Sequence, residues 1–319
     1  MKIQKTEFSI PEDILIEVLK EFPVKSLLRL RCVCKQWLSI IDDTLFVSVH
    51  RARSYSRPGG VSFLINVETG ETTNLFSFHP EPCSPPPRYI FTKEGHGLSQ
   101  TTAPVEGLVA FCNKIWNPST RKIINLPPLP NKFPIKKPQY LLGFNRSSNE
   151  YKVLAIFRVK GGIKRCVSKV LTLGSNSWRE ADYLGHRGLY SNFCMTSCCF
   201  NDILYIYPYC TGSLIVFDLG TEKSRLIPFP LTKEFGIHCQ LHEVRGNLVV
   251  YMSKSKFIWK LEDEKSGRWT KENIIFPRNW KLNSPNWSCH YPYYFLYNLH
   301  SVPELKNRLR SVHHCSKLS

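Results

Sequence analysis

Cysteine, histidine and the carboxylates are the side chains that can hold a metal or attack a substrate, and their spacing decides whether they do. Cys194, Cys198 and Cys199 fall close together, His238 and Cys239 precede His242, and His313-His314-Cys315 lies near the C-terminal end. None of these groups forms the two separated ligand pairs of a structural zinc site, and on a strand the adjacent Cys198 and Cys199 point to opposite faces. Cys32 and Cys34 have Cys-x-Cys spacing in an apolar helical stretch, which fits small packed side chains better than a redox pair. No Gly-x-Ser-x-Gly, phosphate-cradling loop or framed pair of carboxylates is present. The expectation is a chain without a catalytic residue, a metal or a cofactor.

What remains is the chemistry of recognition, and it concentrates in residues 1–50. Ser9 and Glu12 have capping-box spacing, and Pro11 fits a first helical turn, where its missing N–H costs nothing. Ile14, Leu15, Val18, Leu19 and Phe22 then recur at three- and four-residue steps, one broad apolar face that Pro23 terminates. Leu27, Leu30, Cys34, Trp37 and Ile41 line a further helix or two short ones, while Leu28, Val33, Leu38 and Ile40 make the region apolar on other sides too. A unit of about 50 residues removes only roughly 60% of its surface from water. Each large side chain left outside forgoes about 1.5–3 kcal/mol, so the unit either docks a partner or pads the rest of the chain.

Behind this unit the chain is organised as short strands. Residues 51–60 (RARSYSRPGG) read as a connector, and PEPCSPPPR at 80–88 is a break that no sheet interior accommodates. Between them VSFLINVETGETTNLFSF predicts a hairpin turning at Glu68-Thr69-Gly70. Residues 107–130, 203–230 and 248–277 share one arrangement: an apolar strand, an Asn or Asp, a polar turn, basic residues, a second strand and, in each, a proline stop. YLLGFNRSSNEYKVLAIF and CVSKVLTLGSNSWREAD supply two more hairpins between them. Repeats about 40–50 residues apart are the spacing of propeller blades, with a two-sheet sandwich as the other arrangement. Leu126-Pro127-Pro128-Leu129-Pro130 has the form of a polyproline ligand but falls at a strand end, which favours a blade-exit loop.

Composition narrows the classes. The chain is 42% apolar and 13% aromatic, the composition of a folded protein. No stretch approaches the roughly 18 consecutive apolar residues of a membrane span, and the N-terminal residues lack a signal-peptide core. The expected compartment is cytosol or nucleus, where the 12 cysteines are reduced and mostly buried. Residues 1–50 hold seven Lys/Arg and seven Asp/Glu, so the formal charge of +18 belongs entirely to residues 51–319. Such an excess draws acidic partners. The cations are scattered, among them Lys132, Arg158, Lys164 and Lys254, which disfavours dedicated nucleic-acid binding.

The run IPEDILIEVLKEFPVKSLLRLRCVCKQWLSII, residues 10–41, resembles the F-box of plant F-box proteins, with Ile10 and Phe22 standing where that family usually has Leu. WNPSTRKIINLPPLP, YLLGFNRSSNEYKVLAIF, KVLTLGSNSWRE, LYIYPYCTGSLIVFDLGTEKSRLIPFP and KLEDEKSGRWTKE, in that order, are similar to successive segments of the plant F-box-associated, kelch-like propeller of type 3. The resemblance implies a small three-helix F-box at 1–50 (helices at about 9–45), a connector at 51–60, an all-β propeller at 61–300 and a basic tail at 301–319. It implies a substrate receptor of a Skp–cullin–F-box ubiquitin ligase, with Ile10, Pro11, Leu15, Phe22, Pro23, Leu27, Val33, Cys34 and Trp37 binding the Skp-type adaptor. The propeller would hold an unidentified protein target, of acidic character, through loops near 131–138, 158–165, 185–192 and 232–240. The alternatives are an adaptor-binding protein that delivers no target, and a basic propeller that binds nucleic acid or glycan. One departure stands out: Asn201-Asp202 occupies a turn where the family usually has glycine, and both residues tolerate the left-handed backbone that such a turn needs.

Overall fold

The computed structural model describes residues 10–56, the strand backbone within 63–69, 72–78 and 88–94, and residues 102, 104–130, 135–159, 166–182, 195–208, 212–229, 239–244, 246–252 and 257–273. It contains four helices followed by antiparallel sheets, in two units.

In the helical unit, α1 (Glu12–Leu19), α2 (Val24–Leu30), α3 (Lys35–Asp42) and α4 (Thr44–Ser56) follow one another through tight corners. Pro11 is the residue before α1 rather than inside it, its carbonyl accepting from Leu15 N–H at 3.0 Å. Ser9 lies outside the described residues. Glu12 and Asp13 in the first turn complement the helix dipole. Pro23 plays for α2 the part that Pro11 plays for α1, accepting from Ser26 and Leu27 N–H at 2.8 and 3.1 Å. The second stripe resolves into two short helices because the chain turns at residues 31–33 and Cys34 is extended, with φ −158° and ψ 168°.

Helix α4 runs to Ser56, into residues read from sequence as a connector. Its start is fixed by Asp43, whose Oδ1 accepts from Leu45 and Phe46 N–H at 2.8 and 3.0 Å. Two contacts fasten its far half: Arg53 pairs with Glu21 at 2.7 Å, and the His50 ring bonds the Phe22 carbonyl at 2.8 Å. Leu15, Leu19, Leu27, Ile40, Ile41 and Phe46 form the core.

The β unit is a series of meanders. A three-stranded sheet has β1 (Phe63–Thr69), β2 (Thr72–Phe78) and β3 (Arg88–Glu94) in chain order, with the expected hairpin between its first two strands. A second has β4 (Val109–Phe111), β5 (Lys114–Asn117) and β6 (Lys122–Asn125). Three four-stranded sheets follow: β7 (Ile135–Asn145), β8 (Glu150–Val159), β9 (Cys166–Thr172) and β10 (Arg179–Glu180); β11 (Met195–Phe200), β12 (Ile203–Pro208), β13 (Ser213–Asp218) and β14 (Ser224–Pro228); β15 (Cys239–Val244), β16 (Asn247–Met252), β17 (Phe257–Asp263) and β18 (Arg268–Asn273). The first strands β7, β11 and β15 neighbour one another in turn, and β4 lies beside β7. This is the radial stacking of propeller blades.

Period-two side-chain geometry explains why strands so uniformly apolar are stable here. On β8, Val153, Ala155 and Phe157 pack with Ala110, Ile115 and Leu126 of the preceding sheet, while Leu154 and Ile156 pack with Leu204, Ile206 and Phe217 of the following one. On β12 and β13 the division repeats: Leu204, Ile206, Ile215 and Phe217 face backward, and Tyr205, Tyr207, Leu214 and Val216 face forward onto Leu241, Leu248 and Val250. A sandwich would bury one face of each sheet. These central sheets bury both.

The repeated polar turn has one geometry. Asn117, Asn145 and Asp218 each accept through Oδ1 from the N–H groups two and three residues on, at 2.8–3.4 Å, and Asp263 does so from Lys265 N–H at 3.0 Å. The residue four positions after each of them is left-handed: Arg121 (φ 61°), Asn149 (55°), Glu222 (58°) and Gly267 (66°). Asn201 and Asp202 adopt φ 49° and 62°, the left-handed turn expected of them in place of glycine. The proline stops are used as acceptors: Trp178 Nε1 donates to the Pro127 carbonyl and Trp269 Nε1 to the Pro228 carbonyl, each at 3.0 Å, joining the edge of one sheet to the exit of the sheet before it.

Candidate functional site

The described residues contain no group of three or more His, Cys, Asp or Glu side chains placed to share a metal. On β11 and β15, Cys198 and Cys239 are buried thiols and Cys199 is half-buried. Cys198 packs forward and Cys199 on the opposite side, and burial pushes Cys199 up to about 11 and Cys239 up to about 12, so neither is a thiolate at neutral pH. Burial likewise pushes His242 down to about 4, leaving it neutral.

Polar groups in the sheets instead join one sheet to the next. Lys152, nearly buried on β8, donates to the Leu219 carbonyl at 2.6 Å and pairs with Glu222 at 2.8 Å, and Arg179 reaches the same carboxylate at 2.5 Å. Burial raises the Glu222 pKa, but the hydrogen bonds from Arg179 and Lys152 outweigh it and hold the group below its ordinary value. Asp202 is held low in the same way, burial being outweighed by hydrogen bonds from Arg146 and Ser147, whose backbone N–H groups it receives at 2.7 and 3.3 Å. Arg225 and Tyr205 converge on Glu264 of the following sheet.

The surface that departs from ordinary burial is on the helices. Ile10, Ile14, Val18 and Phe22, each four residues from the next, are 56, 50, 51 and 39% exposed. Ile14 and Val18 are open positions of α1, whose Leu15 and Leu19 are buried, while Ile10 precedes the helix and Phe22 follows it. Val33 is 60% exposed at the α2–α3 corner, with Cys34 exposed beside it and Leu28 and Leu38 exposed on the helices to either side. Of the 13 large apolar residues with high exposure among the described residues, ten are on the helical unit, although it supplies the shorter part of the chain. Side chains of this size in water forgo about 1.5–3 kcal/mol each, which makes this the candidate surface for association.

The nine residues singled out from sequence divide into two sets. Ile10, Pro11, Phe22, Pro23, Val33 and Cys34 are exposed. Leu15 and Leu27 are interior, packed in one cluster with the half-buried Trp37 at its edge. Ile14, Val18, Leu28 and Leu38 are as open as the first set and were read from sequence only as parts of apolar faces, because the buried Leu15 and Leu19 share their residue types and spacing.

A family model described as the F-box domain matches residues 8–48, and one described as the F-box associated beta propeller domain matches residues 62–291. The chain belongs to the plant F-box proteins that carry an F-box-associated domain. F-box protein At5g65850 of Arabidopsis thaliana is 30% identical over 315 residues, covering 87% of this chain and 74% of that protein. F-box protein At1g30790 of the same plant is 28% identical over 349 residues, covering 92% and 81%. Among solved structures, Citrobacter koseri AztD is similar with a TM-score of 0.40 and 11% identity over 68% of this chain and 60% of that one.

In this F-box protein the F-box match holds α1, α2 and α3 and ends at residue 48, inside α4. The three-helix expectation therefore gains a fourth helix that begins within the F-box and outlasts it. No helix among the described residues is long and apolar enough to cross a membrane. Most of the loops 131–138, 158–165, 185–192 and 232–240, and all of the tail 301–319, lie outside the described residues.

Proposed function

We propose that this F-box protein is the target-holding subunit of a Skp–cullin–F-box ubiquitin ligase in the cytosol or nucleus. The concentration of exposed apolar side chains on the F-box helices carries the reading. Ile10, Pro11, Phe22, Pro23, Val33, Cys34 and the exposed edge of Trp37 contact a Skp-type adaptor and, through it, a cullin, with Ile14, Val18, Leu28 and Leu38 as further contacts. Leu15 and Leu27 act from inside, keeping α1 and α2 at the angle that presents those contacts. The propeller holds a protein target. Catalysis by this chain is proximity: tethering gives a target lysine an effective concentration on the order of millimolar near the charged thioester, whose cysteine belongs to another subunit.

The test is co-expression of the full chain with a plant Skp adaptor and size-exclusion chromatography of the product. The parent chain co-elutes, while Val33→Asp and Ile14→Asp, both on open surface, lose the adaptor and keep the parent's circular dichroism and melting curve. A folded parent that elutes alone overturns the ligase reading.

A further inference from the structure

The outer strands of the sheets differ in how their free edges are protected. β10 presents Arg179 and Glu180, and β18 presents Arg268, Lys271 and Glu272, charges of both signs on exposed positions. On β14 the exposed Leu226 sits beside Arg225, which is paired with Glu264. Charges of this kind discourage a further strand from adding to an edge. β6 lacks them. All four of its residues, Lys122, Ile123, Ile124 and Asn125, are exposed, and the two isoleucines are 48 and 41% open. Adjacent residues of a strand point to opposite faces, so the edge is apolar on both. β6 pairs with β5 on one side, and no strand among the described residues lies on its other side.

The sequence on either side of this edge carries charge of one sign. Between Glu106 and Glu150 the sequence contains seven Lys/Arg and no Asp or Glu, and Arg121 and Lys122 stand exposed at the start of β6. The exposed pair is aliphatic, whereas single-stranded nucleic acid is held on aromatic platforms. We infer that the free edge of β6 receives an extended, acidic segment of a partner protein by strand addition, with Ile123 and Ile124 packing its alternate side chains and Arg121 and Lys122 pairing its carboxylates. The inference builds on the target-holding role proposed for the propeller and names the kind of segment held.

The probe is a fluorescein-labelled ten-residue peptide alternating valine and glutamate, titrated by anisotropy into the full chain bound to its adaptor, or into the full chain alone if no adaptor binds. Saturable binding is expected, weaker by at least about tenfold for the matched valine–lysine peptide and for a version N-methylated at every residue, which has no N–H left on either edge to add as a strand. Arg121→Glu with Lys122→Glu weakens it by about tenfold or more, and Ile123→Thr with Ile124→Thr does the same without altering charge, whereas Lys271→Glu on β18 leaves it within about twofold. Absence of saturable binding, indifference to N-methylation or to the β6 variants, or displacement by an equal concentration of a uridine 12-mer would each overturn the assignment. Adaptor co-elution is scored on the same samples. Peptide binding without it removes the ligase reading and keeps the edge, and the converse removes only the edge.

Discussion

On β8, Val153, Ala155 and Phe157 go to one neighbouring sheet and Leu154 and Ile156 to the other, whereas α1 sends Leu15 and Leu19 inward and leaves Ile14 and Val18 in water. Both segments are apolar on two sides, and the surroundings decide what that means. A sheet stacked between sheets uses both faces within the chain. Among the described residues, the helices gather six apolar side chains into their core and leave others exposed on a second side. An apolar residue therefore contributes stability in the sheets and, where open on the helices, is available for the association proposed above, and substitutions can be chosen to separate the two.

The largest contrast is between Phe217 and Val33. Phe217 is fully buried between two sheets, so Phe217→Ala should cost about 3–5 kcal/mol in urea unfolding of the β unit. Val33→Asp, on open surface, should shift stability by less than about 0.5 kcal/mol while the adaptor is lost from the chromatogram. Equal destabilisation by the two would break the comparison. A middle-sized effect tests the links between sheets: Trp269→Phe removes the donor to Pro228 and trims the ring that packs against Phe229, a loss of about 0.5–3 kcal/mol in the same unfolding assay. The smallest effect is in pH dependence. Glu222 has a folded pKa below its ordinary 4.5, so its contribution is present above that value and lost as pH falls through the lower, folded one. Unfolding midpoints from pH 6 to about 3 should fall less steeply for Glu222→Gln than for the parent. Parallel curves would mean that the Lys152–Arg179 contacts do not couple folding to that proton.

Local chemistry was readable in advance. The Asn and Asp turns, the proline stops and the alternating runs of β8, β12 and β13 each follow from a few adjacent residues, and Asn201-Asp202 behaved as its side chains allow. Long-range consequences were not. Nothing near Trp178 or Trp269 says that a proline carbonyl 51 or 41 residues earlier will receive the indole N–H. Helix α4 was hidden because TLFVSVHRARSYS is rich in β-branched residues and serine, poor local helix formers, and is held by Asp43, His50–Phe22 and Arg53–Glu21 contacts that only the fold provides. At the proposed docking site the residue types were legible but their division was not: Leu15 and Ile14 look alike in sequence, and only the packing of α1 on its neighbours makes one interior and the other open.

The two-sided packing of the sheets also sets a clock for synthesis. When β7 and β8 leave the ribosome, the side carrying Val153 and Phe157 can close at once on the sheet already made, but Leu154 and Ile156 must wait for Leu204, Ile206 and Phe217. About 60 residues of chain separate Ile156 from Phe217, which at the usual pace of translation is roughly 3–12 s. For that interval each new sheet carries one bare apolar face, and a chaperone that shields nascent chains has its work renewed with every blade.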